Sequence, residues 1–348
     1  MISVLLVDDS PIAVLVLKKM LQSFVDIVVV GTAGHGEEAL TLIPALAPQV
    51  VCTDLHMPKM DGLQLTREVM RRHPLPILVI SVSVHQTQDD HNIFELLDAG
   101  AIDVFPKPRG GLEGYSKELA LELATKIRVL SGVIPIRRHQ RVRPRENPEQ
   151  GVALLPPARA TAPRLVVIGA STGGPMALLT ILSELPKSFP VPIVCIQHIS
   201  KGFLEEMVSW LDNNVSLGVR VARTGEILEA GSVYFPQEGT HLLFNAMGRV
   251  NGESCRDLEM HCPSIDVVFE SAATCFREKV IGVLLTGMGR DGARGMRAIL
   301  DAGGSTIAQD EESCVIFGMP GQAIAMGGVR EVLPLAQIAS TLLRHVGR

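Results

Sequence analysis

The sequence predicts an α/β protein of two domains, each built on a doubly wound, mostly parallel sheet. Three observations carry that prediction. Short apolar runs rich in β-branched residues alternate with helical patterns along both halves of the chain. Chemistry-bearing residues stand just past several of those runs, where open parallel sheets form their ligand crevices. A proline- and arginine-rich stretch without apolar periodicity separates the two series.

Composition agrees. A chain of 348 residues is long for one domain and comfortable for two, and a hydrophobic content of 47% can bury two cores. A net charge near −5 argues against nucleic acid as a partner. No apolar run reaches membrane-spanning length, and the N-terminus is a strand pattern followed by aspartates, not a signal peptide. We therefore expect a cytoplasmic protein with no direct membrane insertion. The six cysteines lack CxxC pairs, and Cys52 and Cys195 lie in apolar runs. The set reads as small core residues of a reducing compartment. Cys255, His261 and Cys262 are poorly spaced for zinc.

Within residues 1–130, strands are expected at Ser3–Val7, Ile27–Val30, Val50–Thr53, Ile77–Ile80 and Ile102–Phe105. Ser10-Pro11 supplies an N-cap and a first-turn proline, and Leu17, Met20, Leu21 and Phe24 share one helical face. Asp8 and Asp9 follow the first strand, Asp54 the third, Ser81 the fourth and Lys107 the fifth. Three carboxylates meeting at one sheet edge repel unless a cation joins them, and all-oxygen ligands select a hard ion such as Mg²⁺. Such an ion beside Asp54 would neutralise an arriving phosphoryl group, with Lys107 and the Ser81 hydroxyl on its oxygens. The alternative for Asp8 and Asp9 is helix capping, a role Ser10 fills better.

Residues 131–163 read as a linker. Helical periodicity stops at Ser131-Gly132, and six prolines follow by Pro163. Arg137, Arg138, Arg141, Arg143 and Arg145 form a basic run. Without interleaved aromatics it is a solvated, semi-extended tether before it is a nucleic-acid arm.

Residues 164–348 form the second domain. The apolar run Leu165–Ile168 leads into Gly169-Ala-Ser-Thr-Gly-Gly174, and Pro175 opens a helix carrying Met176, Leu179 and Leu182. Ser171 thus sits on a tight strand-to-helix turn whose backbone N–H groups can serve an oxyanion. The plainer reading is a turn that only lets strand and helix pack closely. A phosphate cradle is disfavoured, since no Lys follows the glycines and the spacing is not GxGxxG. Two later runs repeat the arrangement: Val191–Ile196 leads to Gln197-His198, and Val280–Leu285 leads to Thr286-Gly-Met-Gly-Arg-Asp-Gly292. Ser171, His198 and Asp291 can then act as nucleophile, base and the acid that orients the base. Asp266 and Asp310 are rival carboxylates. Asp266 reads as a first-turn acid on the helix through Phe276, and Asp291 alternatively caps the helix after it. Gly231–Pro236, His241–Asn245 and Arg249–Gly252 read as short β segments that extend the sheet in antiparallel fashion.

Val7-Asp-Asp9, Asp54-Leu-His-Met-Pro-Lys-Met-Asp-Gly62 and Lys107-Pro108 resemble the receiver domain of bacterial two-component response regulators. The resemblance implies a flavodoxin-like fold and phosphorylation of Asp54 by a histidine kinase. It also implies Mg²⁺ held by Asp9, Asp54 and the His56 carbonyl with Asp8 in support, Ser81 and Lys107 as switch residues, and a cis Lys107–Pro108 bond. The switch position three before Lys107, usually aromatic in receivers, is Val104 here.

In the second domain Gly169–Gly174, Gln197-His198, Pro263-Ser-Ile-Asp266, Leu285–Gly292 and Gly318-Met-Pro320 are similar to the chemotaxis protein-glutamate methylesterase family. Its order of receiver, linker and esterase matches this chain. The similarity implies a Ser171–His198–Asp291 triad, with Thr172 and Met288 as further contacts that serve the oxyanion. It implies hydrolysis of γ-glutamyl methyl esters on the cytoplasmic domains of methyl-accepting chemoreceptors, releasing methanol, and deamidation of receptor glutamines. No cofactor is expected for that reaction, Mg²⁺ serving the receiver only. The domain order leads us to expect that the resting receiver packs over the Ser171 crevice. The competing reading is a non-catalytic response regulator whose second domain only binds a partner.

Overall fold

The structure, a computed structural model, describes residues 1–82, 93–108, 115–134, 152–153, 164–256 and 261–347. The arginine run of the linker lies outside them. The chain divides into two units, the first chiefly Met1–Val142 and the second Arg143–Ile199 with Leu204–Arg348.

In the first unit β1 (Ile2–Val7), β2 (Ile27–Ala33), β3 (Val50–Thr53), β4 (Ile77–Ser81) and β5 (Asp103–Pro106) form one sheet in the order β2-β1-β3-β4-β5. Every pairing is parallel. This is the flavodoxin-like order. The helices α1 (Pro11–Gln22), α2 (Gly36–Leu46), α3 (Gly62–Arg72), α4 (Ile93–Ala99) and α5 (Lys117–Leu130) connect the strands and follow the last. All residues of β3 and β4 are buried, as parallel strands covered on both faces must be. Ser10 Oγ caps α1 by accepting from Ala13 N at 3.3 Å, ahead of Pro11. Val16, Leu17, Met20 and Leu21 are its buried face. Phe24 lies past the helix end and packs half-buried on the same core. Lys107 N donates to Ser81 O at 2.7 Å, which carries the β4–β5 register past the strand end. The Lys107–Pro108 bond is not cis; among the described residues the cis bond is Cys262–Pro263.

The second unit carries β6 (Val152–Ala153), β7 (Leu165–Ala170), β8 (Ile193–Gln197), β9 (Gly218–Val221), β10 (Ser232–Phe235), β11 (Thr240–Phe244), β12 (Val250–Ser254), β13 (Val280–Leu284), β14 (Ser305–Gln309) and β15 (Glu331–Leu333). Its main sheet runs β6-β15-β14-β13-β7-β8-β10-β9, antiparallel only at β6. From β7 the chain builds outward through β8, β10 and β9. It then returns to the other side of β7 through β13, β14 and β15. The order reverses between β7 and β13, and the loops leaving such a switch point open a crevice. The helices are α6 (Gly174–Leu182), α7 (Leu204–Asn214), α8 (Ile265–Phe276), α9 (Ala293–Asp301), α10 (Met319–Ala325) and α11 (Leu335–Val346).

The expected antiparallel extension of the sheet is wrong. β10 joins the main sheet in parallel, between β8 and β9. The other two segments, β11 and β12, pair antiparallel with each other as a separate hairpin. Burial explains the split. Leu242 and Val250 of that hairpin enter the core beside α8, and Phe244 meets Phe276 edge-on at 5.1 Å. The hairpin therefore packs on a helix instead of lengthening the sheet.

Candidate active site

Ser171 is the first residue beyond β7. Its N–H donates to Thr286 O at 3.0 Å, which ties it to the loop after β13. Gly173, the N-cap of α6, has φ +77°, and a Cβ there would lie 2.6 Å from Val315. A side chain is excluded on both counts. A Cβ at Gly287 would stand 2.7 Å from Ser171 Cβ, so the two turns touch through a glycine.

Gln197, last in β8, donates from Nε2 to Ser171 O and to His198 O, both at 2.8 Å. His198 N also donates to Ala170 O at 3.0 Å. One buried amide thus fixes the backbone of the serine turn against that of the histidine. Among the described residues no hydrogen bond joins Ser171 Oγ to the imidazole. Such contacts often tighten only when substrate binds.

His198 Nε2 lies 2.9 Å from Asp291 Oδ2. Asp291 is buried and accepts four further bonds. Oδ1 takes Ser264 Oγ at 2.9 Å, Asp266 N at 2.9 Å and Gly292 N at 3.1 Å, and Oδ2 takes Ile265 N at 2.8 Å. Ser264 is the N-cap of α8, so the carboxylate sits on that helix's positive end. Burial alone would push the Asp291 carboxyl up. The His198 imidazole and the Asp266 and Ile265 N–H groups outweigh it and hold the group well below the usual carboxylate range.

Asp266 is a first-turn acid of α8 as expected, whereas the capping alternative for Asp291 needs correction. Asp291 caps α8 across the crevice more than the helix that follows it, whose N-cap is Gly292 without a side-chain cap. Asp266 does not merely sit on its own first turn. Its Oδ1 accepts from Gly295 N at 2.8 Å and its Oδ2 from Arg294 Nε at 3.1 Å, on α9. Of the two support residues, Thr172 is buried with its carbonyl accepting from Thr286 Oγ1 at 3.0 Å. Met288 lies in the Leu285–Gly292 loop and is 45% exposed.

The sequence reading gave no role to Gln197 or Ser264, although both lie inside the quoted motifs. His261, weighed there only as a poorly spaced zinc ligand, stacks its ring on His198 with centroids 4.5 Å apart and 10° between planes. Burial lowers the His261 pKa, and the neighbouring imidazole adds to that, against Asp291 and Asp266. The reading of the six cysteines as small core residues of a reducing compartment is overturned for two: Cys255 and Cys262 form a disulfide, and Cys262 is exposed. They stand seven residues apart in sequence, between β12 and α8, a spacing that does not by itself reveal the pairing. Cys52, Cys195, Cys275 and Cys314 are free; burial pushes the Cys52 and Cys314 thiols up to about 12.

A second cluster lies at the carboxyl edge of the first sheet. Carboxylate oxygens of Asp8, Asp9 and Asp54 lie within 4.8 Å of one another. Asp54 Oδ1 accepts from Leu55 N at 2.8 Å, and Lys107 Nζ reaches Asp54 Oδ2 at 2.7 Å and Asp8 Oδ2 at 2.8 Å. The Asp8 contact is an ion pair without hydrogen-bond alignment. Burial and the neighbouring Asp54 carboxylate push the Asp8 carboxyl up against the pull of Lys107, as expected where three carboxylates crowd one ammonium. Three hard oxygen donors with uncompensated charge fit a divalent cation. Ser81 is buried at the end of β4, and Val104 is buried on β5. His56 is exposed in the loop between β3 and α3.

A flavodoxin-like domain with an acidic cluster and lysine, followed by a parallel-sheet domain with a Ser/His/Asp crevice, defines a response regulator that carries its own hydrolase. Comparison with known proteins agrees. The response regulator receiver domain profile matches residues 4–113, and the CheB methylesterase profile matches residues 166–342. The chain belongs to the CheB methylesterase family. It is 39% identical over 346 residues to a protein-glutamate methylesterase/protein-glutamine glutaminase of Nitrosospira multiformis, covering 99% of this chain and 97% of that one. A Syntrophus aciditrophicus protein of the same description is 39% identical over 352 residues, covering 100% and 99%. The crystal structure of the Thermotoga maritima CheB methylesterase catalytic domain superposes with a TM-score of 0.51 at 38% identity, covering 53% of this chain and 99% of that one. Among the described residues no helix is long and apolar enough to cross a membrane.

Proposed function

We propose that this protein is a phosphorylation-regulated esterase and deamidase. It removes methyl groups from glutamyl esters, and ammonia from glutamine amides, on the cytoplasmic domains of chemoreceptors. The observation that carries the reading is the His198–Asp291 pair, locked on the α8 N-terminus and joining the loops after β8 and β13, the two strands that flank the β7 of Ser171. Membership of the methylesterase family supports the substrate class.

Because Nε2 is bonded to Asp291, the base nitrogen is Nδ1. Ser171 Oγ attacks the ester carbonyl as its proton passes to His198 Nδ1. The resulting imidazolium is stabilised by the Asp291 carboxylate. Backbone N–H groups of Thr172 and Met288, with the α6 N-terminus behind Thr172, receive the developing oxyanion. The tetrahedral intermediate collapses, and methoxide leaves with the histidine proton as methanol. Water then loses a proton to the same nitrogen, attacks the acyl-serine, and releases the glutamate carboxylate. With an amide substrate the first leaving group is ammonia. The reaction so written uses protein groups and water alone.

In the receiver, residues 1–130, Asp54 is the phosphoacceptor and a histidine kinase the donor. Asp9, Asp54 and the His56 carbonyl would hold Mg²⁺, with Asp8 behind them; the ion supplies positive charge to the incoming phosphoryl oxygens. Lys107 and Ser81 contact those oxygens and report the modification onward. Residues 131–163 tether this domain to the esterase, residues 164–348, and the protein acts in the cytoplasm.

The test is methanol release from methylated receptor membranes with and without a small-molecule phosphodonor. Release that rises about 5- to 150-fold with the donor, the span of a typical coupling, supports the reading. No release in either condition overturns it.

A further inference from the structure

The Cys255–Cys262 pair brackets the segment that ends in His261, the residue stacked on His198. Cys255 directly follows β12 and is half-buried, with its N–H on Gly239 O at 3.1 Å. Cys262 is exposed. Two residues further on, Ser264 bonds both Asp291 and His241. The disulfide therefore ties the end of β12 to the residue after His261, whose ring lies flat against the base, two residues before the serine bonded to the catalytic carboxylate. Imidazole rotation about χ2 is soft, so a second ring pressed on the first limits how far Nδ1 can swing from the serine.

We propose that Cys255 and Cys262 form a thiol–disulfide switch that sets the seat of His261 on His198 and thereby the turnover of the esterase. The inference rests on the reading of His198 as the general base. Oxidation joins the two Sγ atoms, passing two electrons and two protons to a hydroperoxide or a small-molecule disulfide. Reduction begins with a small thiolate attacking the exposed Cys262 Sγ and displacing the Cys255 thiolate. A second thiol then resolves the mixed disulfide, leaving both cysteines as thiols and the reductant as its own disulfide. The oxidised form is the more active one. Breaking the bond unties His261 from the end of β12, and His198 loses its wall. His261 is a positioning residue in this scheme.

The experiment equilibrates the full-length protein in glutathione redox buffers. Maleimide addition at Cys255 and Cys262 is counted by mass spectrometry, and methanol release is measured on the same samples. The disulfide fraction and kcat should rise along one curve, with kcat roughly tenfold higher when oxidised, as for a small misplacement of a catalytic group, and KM little changed. Cys255→Ser/Cys262→Ser should be insensitive to the buffer. His261→Ala should still form the disulfide yet lose the redox response of kcat. A pair that oxidises without altering kcat, or that stays reduced across the buffers, overturns the inference alone. A His261→Ala protein whose kcat still follows the buffer removes His261 from it. Absence of methanol release in both redox states overturns the esterase reading and this inference with it.

Discussion

Asp291 and Asp266 cap each other's helices. Asp291, just before α9, accepts the N–H groups of Ile265 and Asp266 at the start of α8, and Asp266 accepts Gly295 N in α9. The exchange clamps two helix N-termini together beside the base. It leaves one carboxylate, Asp291, still bonded to His198. The catalytic duty proposed for Asp291 and the structural duty of Asp266 are thus separable.

That separation gives the first prediction. Asp291→Asn should lower kcat by about 10⁴-fold, because the amide can present the wrong hydrogen-bonding partner to the imidazole. Asp266→Ala should cost about 1–2 kcal/mol of stability, the range for a lost cap, and change kcat by less than about tenfold. Urea unfolding and methanol-release rates on both variants check this. A reversed pattern would assign the catalytic acid to Asp266.

Acid sensitivity follows from the same residue. The Asp291 carboxyl is held below its usual 3.8 in the fold, despite burial, by His198 and two backbone N–H groups. The unfolded chain therefore binds the proton more tightly. The stabilisation stands in full above about pH 4 and is lost as pH falls below that. Between pH 5 and pH 3 the urea midpoint of the wild-type protein should fall more steeply than that of Asp291→Asn. Parallel curves would contradict the assignment.

Gln197 holds the serine and histidine turns together through a single amide. Gln197→Leu keeps its bulk and removes both bonds, leaving the Ser171 and His198 carbonyls with one partner fewer in a buried site. We expect kcat to fall roughly 10- to 100-fold, with a stability loss of about 1–3 kcal/mol. Unchanged kcat in a folded variant would show that β7 and β8 alone set the geometry.

Phosphorylation is predicted to depend on the acidic cluster and not on the esterase crevice. Asp54→Asn should abolish incorporation from a small-molecule phosphodonor, and chelation of divalent cations should do the same for the wild-type chain. Ser171→Ala should label normally. Labelling that persists in Asp54→Asn would move the phosphoacceptor elsewhere.

Much of the fold was legible in the sequence, because its central strands are apolar, β-branched runs, and the candidate site residues were picked out by standing in the turns that follow them. Val50–Thr53 before Asp54, Leu165–Ala170 before Ser171 and Val280–Leu284 before the Asp291 loop are strands whose burial leaves only their ends for chemistry. Polar or short strands were not legible. β14 reads Ser-Thr-Ile-Ala-Gln and β9 only Gly-Val-Arg-Val, too brief for periodicity to register. Long-range partners were hidden for a different reason. The Asp291–Ile265 bond, the His198–His261 stack and the Cys255–Cys262 pair depend on how α8 lies against α9 and how the β11–β12 hairpin turns back, which no local pattern encodes. Val104 stays buried on β5, with Phe105 beside it in the core, so the ring of that strand faces the interior instead of the switch position.

The most direct measurement is the time course of methanol release from one preparation of methylated receptor membranes by the wild-type protein and by Ser171→Ala. The account predicts steady release by the former and a rate lower by about 10³-fold or more in the latter, with both proteins equally folded and equally phosphorylated at Asp54. Near-equal release would mean that the hydroxyl beyond β7 is not the nucleophile.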